Sequence, residues 1–361
     1  MKHILWILTF IFFAHIGHSQ ETEKPTFRLF LIGDAGEDDT TEATLHDLGV
    51  MLKKYPNSAV IFLGDNCYRH AMYGVLPMNV KGYDGSKIAK ARVMSQLNIL
   101  KGYEGSAYFI PGNHDWWNYT NMRQGKKALL KEETFIESTL KSFTSLKNNG
   151  STFLPSGGHP GPVVREFNND RTRVIFMDSY RMILEEGEKK QDSTVLNQFY
   201  RNMRKVLKEG IAKKQKIIVV AHHPIHAKGN HSLPLAAWQT VFRRFADANT
   251  NYPPYNRMAQ RLDSLLKEER RPDIFYVSGH EHSLEYFNND SLQYLVSGAG
   301  SKVDNVDYKA TVQENEYFIW NQEGFFEIEF YGKYERVVIH HRKDVHSKLE
   351  EHCLTGCNPP K

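Results

Sequence analysis

The amino-acid sequence predicts an α/β protein, a four-layer α/β/β/α sandwich of two mixed sheets flanked by helices. Three observations predict it. Short apolar runs of strand length alternate with stretches of helical periodicity from Phe27 to Val277. Beyond that point strand-like runs dominate, so antiparallel strands complete the sheets. Five of the apolar runs also end in short polar clusters: Gly33-Asp34-Ala35-Gly36, Gly64-Asp65-Asn66-Cys67-Tyr68, Gly112-Asn113-His114-Asp115, Val219-Val220-Ala221-His222 and Gly279-His280-Glu281-His282. Such folds place ligands at the carboxyl ends of strands.

Taken in order, the run at 26–32 reads as a buried strand ending in Gly33-Asp34. Leu45, Leu48 and Leu52 recur at helical spacing within 41–55, with Thr40 or Thr41 as the N-cap. A strand at 59–63 follows, which makes a βαβ unit with a right-handed crossover. The same logic predicts helices over 87–100, 126–146, 194–208 (capped by Ser193) and 258–269. It predicts strands over 107–110, 172–177, 216–220, 273–277 and 292–296, then a hairpin of 324–329 with 334–341 around Tyr331-Gly332-Lys333.

The chain-wide properties narrow the function classes. At 361 residues the chain can bury a large core, and its net charge of +4 is modest. Lys and Arg are scattered, so no basic arm for nucleic acid is expected. Residues 1–20 read as a signal peptide: after Met1-Lys2-His3, the apolar stretch from Ile4 to Ala14 falls short of the ~20 residues a membrane span needs. Cleavage near Ser19 or Gln20 would export the protein to a secreted, periplasmic or cell-surface location, with no stable membrane span. The expected domain is 21–345, followed by a tail at 346–361. Among three cysteines, Cys353 and Cys357 read as a tail disulfide or free thiols, and Cys67 as a small packing residue.

The clusters carry the chemistry. Asp34 and Asp65 each follow a glycine at a strand end, and a crossover can set the two carboxylates side by side. Unpaired, they would repel and one would be driven toward protonation; a cation between them resolves this. His280 and His282 alternate, so both can face one centre. Asn113 offers a neutral oxygen, and His114 is free to act as an acid or hydrogen-bond donor. With the Tyr68 phenol, this is a ligand set for two metal ions ~3.5–4 Å apart, the arrangement that clamps in-line attack on phosphorus.

The series Gly-Asp-x-Gly, Gly-Asp-x-x-Tyr, Gly-Asn-His-Asp, Val-x-x-His, Gly-His-x-His resembles the calcineurin-like metallophosphoesterase superfamily, from Phe27 to about Gly300. Tyr68 points to its purple acid phosphatase branch, of the tartrate-resistant type. The resemblance implies that Asp34, Tyr68 and His282 bind a first metal, Fe(III), and that Asp65 bridges both ions. Asn113, His222 and His280 would bind a second, divalent ion, Fe, Zn or Mn. His222 is preferred over His223 because the fourth motif reads His-x-Pro, which makes His223 a supporting residue. His114 would stabilise the transition state and protonate the leaving group while a metal-bound hydroxide attacks.

The expected activity is therefore that of an acid phosphatase acting on phosphate monoesters. The expected partners are small phosphorylated substrates, with phosphoproteins and nucleotides left open. A phosphodiesterase or nucleotide pyrophosphatase on the same fold is the alternative, and a non-catalytic surface-binding protein a more distant one. His223 and His226 are weak candidates for substrate binding, and His231, Tyr73 and Asp115 are further loop candidates. Packing is the expected use of Trp116-Trp117, and Asp178 reads as structural.

Overall fold

In a computed structural model, the structure describes residues 23–37, 43–68, 85–116, 122–148, 150–187, 193–232, 251–269, 271, 274–289, 292–304, 319–343 and 347–357. The expected signal peptide and Tyr73 lie outside the described residues. The first part of the chain runs β1 (Phe27–Ile32), α1 (Ala43–Lys54), β2 (Ser58–Phe62), α2 (Gly85–Asn98), β3 (Ser106–Phe109), α3 (Asn113–Trp116) and α4 (Met122–Leu140). Then come β4 (Val163–Phe167), β5 (Thr172–Phe176), α5 (Ser179–Gly187), α6 (Thr194–Ala212), β6 (Lys216–Val220), α7 (Pro253–Lys267) and β7 (Ile274–Ser278). The strand-rich remainder is β8 (Leu284–Asn289), β9 (Leu292–Ser297), β10 (Ile319–Trp320), β11 (Glu323–Phe330), β12 (Glu335–Arg342) and β13 (Glu350–Thr355).

The strands form two mixed sheets flanked by helices. One has the order β13-β12-β11-β1-β2-β3, the other β10-β8-β9-β7-β6-β5-β4. Parallel β1-β2-β3 and parallel β5-β6-β7-β9 make the two centres, and antiparallel strands extend them. Alternation along each strand builds the layers. Leu29 and Leu31 of β1 meet Val220 of β6 and Val277 of β7 between the sheets. Phe30 and Ile32 face the other way, onto Leu48 of α1 and Val93 of α2. Ile217 and Val219 of β6 face Met203 of α6 and Leu262 of α7. Both faces of each central strand are buried, which is why those strands read as unbroken apolar runs.

The expected elements are present with shifted ends. The helix read at 126–146 spans Met122–Leu140, and the one at 258–269 begins earlier, with proline in its first turn. Ser193 caps α6, its side chain accepting the Leu196 N–H at 3.3 Å. The sequence reading missed α3, β4, α5, β8, β10 and β13. β4 is half-buried throughout and β13 is exposed and half-buried, so neither carries the apolar signature of a central strand. The segment expected as a tail contains one of them. Residues 350–355 pair with β12 as the edge strand of the first sheet, and Cys353 is joined to Cys357 by a disulfide. Among the described residues, no helix is long and apolar enough to cross a membrane.

Candidate metal centre

The five polar clusters converge because their strands are neighbours in two sheets packed face to face. Asp34 and Asp65 stand just past adjacent β1 and β2, and Asn113 past β3. His222 follows β6, and His280 and His282 follow its neighbour β7. The turns that aim these side chains are tight. Asp34, Asp65 and His280 adopt positive φ of 58°, 51° and 72°, conformations a non-glycine residue holds at some cost and that gather at functional sites. Gly112 leaves the space the Asp65 carboxylate needs: a Cβ there would lie 2.2 Å from Asp65 Oδ1.

The donors form two groups. In the first, the Tyr68 hydroxyl donates to Asp34 Oδ1 at 2.7 Å and lies 3.1 Å from His282 Nε2. In the second, Asn113 Oδ1 lies 3.0 Å from His222 Nε2 and 3.1 Å from His280 Nδ1, and those two nitrogens are 3.2 Å apart. Asp65 bears on both: its Oδ1 is 3.4 Å from His222 Nε2, and its charge helps raise the Tyr68 phenol. Two carboxylates, a phenol, an amide oxygen and three imidazoles thus face one buried space.

This donor set fits a pair of cations. The far sides of two histidines are engaged so that their inner nitrogens carry lone pairs. His222 Nδ1–H donates to Leu63 O at 2.8 Å, and His282 Nδ1 faces Asp304 Oδ1 at 3.1 Å. Two imidazole nitrogens and a carbonyl oxygen at mutual distances near 3 Å are more acceptors than the available protons can serve. The carboxylates are unequal as well. Burial pushes Asp34 up to about 6 against the pull of His222. Burial also pushes Asp65 up, but His222 and His114 outweigh it and hold its carboxyl far below the usual range. Burial, with Asp34 and Asp65, drives the Tyr68 phenol well above 10. Ligand atoms of Asp34, Asp65 and His222 lie within 4.8 Å of one another, as do those of His222, His223 and His280.

Residues 27–284 match the family model described as calcineurin-like phosphoesterase. The chain belongs to this family. A binuclear metal centre is typical of it, and the donor groups described above are candidates to hold one. Purple acid phosphatase 7 of Arabidopsis thaliana is 23% identical over 279 residues, covering 75% of this chain and 69% of that protein. A purple acid phosphatase, PPD1, from yellow lupin seeds shares the fold with TM-score 0.54 at 14% identity, over 90% of this chain and 53% of that one. A dimetal phosphatase from Danio rerio shares it with TM-score 0.50 at 14% identity, over 91% and 99%. GAP50 of Plasmodium, described as the anchor in the inner membrane complex, shares it with TM-score 0.55 at 14% identity, over 91% and 88%.

Around the donors of this calcineurin-like centre, the remaining site residues fall into place. The His114 backbone N–H donates to Asp65 Oδ1 at 2.9 Å, and its ring packs on Tyr68 with centroids 4.6 Å apart. Burial holds His114 down at about 4, with Asp65 pulling up and Lys302 pushing down. His223 is fully buried. Its Nδ1 meets Ser179 Oγ at 2.9 Å and its ring lies 4.4 Å from that of His280, so it packs behind that candidate ligand. His226 is the correction: its ring packs on Phe287 and Tyr294, at 4.5 and 5.5 Å, against the helix-covered sheet face. The place foreseen for it belongs to His231, whose ring lies 4.6 Å from His280 and 5.5 Å from His282.

Asp115 does not face the ligands. It is buried, and accepts the backbone N–H groups of Gly112 at 2.7 Å and Cys67 at 3.2 Å, so it ties two of the metal loops together. Cys67 packs there, its Sγ 3.4 Å from the buried Glu132 carboxylate. Trp116 donates its Nε1–H to Asp178 at 3.0 Å, so both are structural. Sequence reasoning missed two supporting carboxylates. Glu281 lies between two ligand histidines, a position that could have raised the question, and Asp304 sits in a loop without a motif.

Proposed function

We propose that the chain is a metal-dependent phosphatase that hydrolyses phosphate monoesters. The observation that supports this best is the pair of donor groups joined by Asp65, with His114 and His231 at the edges. When bound, two metal ions would neutralise phosphoryl charge and lower the pKa of water. Asp34, Tyr68 and His282 would hold one, Asn113, His222 and His280 the other, and Asp65 both. Fe(III) at the Tyr68 side and a divalent Fe, Zn or Mn ion at the other is the reading that the likeness to purple acid phosphatases supports.

The chain's own groups supply the rest. His114, held neutral, presents an N–H to a phosphoryl oxygen. His231 is the better proton donor for the leaving group. Burial lowers its pKa, but the Glu281 carboxylate beside it raises it above the ordinary value. GAP50 carries the same fold under the description of an anchor, so fold alone does not assign catalysis. The complete donor set is what favours an enzyme. The reading also takes the protein to be exported after removal of residues 1–20.

The test uses the full chain loaded with iron alone or with iron and zinc. It is offered p-nitrophenyl phosphate beside bis(p-nitrophenyl) phosphate across pH 4–9. Faster turnover of the monoester is expected. Preference for the diester would favour the phosphodiesterase alternative, and no turnover of either ester would sink the enzymatic reading.

A further inference from the structure

Lys302 stands at the open edge of the donor cluster. Its Nζ lies 5.0 Å from the centroid of the Tyr68 ring. Tyr68 follows β2, His114 lies in α3 after β3 and Lys302 follows β9, so three separate segments meet at this edge.

This lysine is not a loose surface cation. The loop that carries it is pinned on both sides to residues of the cluster. Gly300 N–H donates to Gly33 O at 3.1 Å. The Ser301 hydroxyl donates to Asp34 O at 2.7 Å and accepts the Glu37 N–H at 3.0 Å. Asp304 N–H donates to His282 O at 3.1 Å, and its carboxylate faces His282 Nδ1. The backbone that orients Asp34 and His282 therefore also orients Lys302.

The side chain is half-buried, and among the described residues no carboxylate pairs with it. The nearby acids are engaged elsewhere: Asp34 by the Tyr68 hydroxyl and the His280 N–H, Asp304 by His282. An aromatic face supports the ammonium without neutralising it. The transferred phosphoryl group already has its partners in the two donor groups, His114 and His231. The charge of Lys302 is thus left for a second anion, and a charge-assisted hydrogen bond to phosphate is the strong form of that contact.

We propose that Lys302 is a specificity-determining residue that holds a second phosphoryl group of the substrate. The chain would then favour compounds bearing two neighbouring phosphoryl groups over those bearing one. The proposal rests on the two-metal phosphoesterase reading above and names the substrate class of that same site.

The test is a binding measurement on the full, metal-loaded chain, with methylphosphonate and methylenediphosphonate as non-hydrolysable probes differing by one phosphonyl group. Affinities by calorimetry are compared among wild type, Lys302→Met and Lys302→Arg. Comparing variants for each probe cancels the diphosphonate's own attraction to the metals. Lys302→Met is expected to weaken methylenediphosphonate about tenfold and methylphosphonate less than about twofold, with Lys302→Arg close to wild type. Equal weakening of both probes, or of neither, would overturn the assignment while leaving the two-metal reading intact. Failure of wild type to bind either probe would overturn both.

Discussion

The Glu281 carboxylate accepts the backbone N–H of His231 at 3.0 Å, and the same oxygen lies 3.4 Å from His231 Nδ1. One buried acid, placed between two ligand histidines, therefore holds a third histidine over the site. The fit leaves no room at Gly229, where a Cβ would come within 2.0 Å of Glu281 Oε2. Gly229→Ala should push the loop and His231 outward at a packing cost of about 1–3 kcal/mol. We expect kcat/KM to fall by about tenfold or more with metal content unchanged. Kinetics together with metal analysis by mass spectrometry checks this, and unaltered kinetics would remove His231 from the reaction.

Asp65 is the carboxylate proposed to hold both ions. Asp65→Asn keeps its size and removes its charge. The variant should hold fewer than two metal ions per chain and lose about a thousandfold in kcat/KM, because the ions must act together on one phosphoryl group. Two tightly held ions in the variant would show that Asp65 is not the bridge.

Tyr68 offers an optical test of metal identity. A phenolate bound to Fe(III) absorbs visible light, so the iron-loaded chain should be violet and Tyr68→Phe colourless. A phenylalanine variant that keeps the band would place the iron elsewhere.

Glu166 links the β4–β5 hairpin to the end of α6. Its Oε1 accepts from Gln215 at 2.9 Å, Arg173 at 2.7 Å and Lys213 at 3.0 Å. These contacts, Gln215 first, hold its carboxyl down at about 2 against an ordinary 4.5. The folded state therefore binds this proton more weakly than the unfolded one. Its contribution to stability is present above pH ~4.5 and is lost as pH falls toward 2. Acid unfolding of metal-free protein, followed by circular dichroism, should be shallower over that window in Glu166→Gln. Parallel curves would show that the contacts do not favour the ionised form.

The Cys353–Cys357 disulfide spans a sequence separation of 4 at the sheet edge. So short a closed loop contributes about 2 kcal/mol in the chain-entropy picture. Dithiothreitol should lower the melting temperature by only a few degrees and leave activity unchanged. Loss of activity on reduction would mean that the β13 edge is coupled to the metal centre.

Much of the centre was legible in the sequence because its ligands sit in short motifs at the ends of strongly apolar strands. Asp34, Asp65, Tyr68, Asn113, His222, His280 and His282 each announce themselves locally, by residue type and by the strand before them. The four-layer fold was legible for the same reason: strands buried on both faces leave long apolar runs that alternate with helices. The short half-buried strand β4 and the exposed edge strand β13 left no such trace.

Which histidine loop closes over the centre was a tertiary matter. His226 and His231 are equivalent by sequence. Only the position of Glu281, and the room left by Gly229, puts His231 on the ligands and His226 on Phe287. Lys302 and Asp304 lie in a loop with no motif, and their place follows from β9 lying beside β7. Local residue pattern thus specified what can bind metal, because ligation depends on donor type and strand-end geometry. Which other charges surround the metals depended on the packing of distant segments, which no local pattern records.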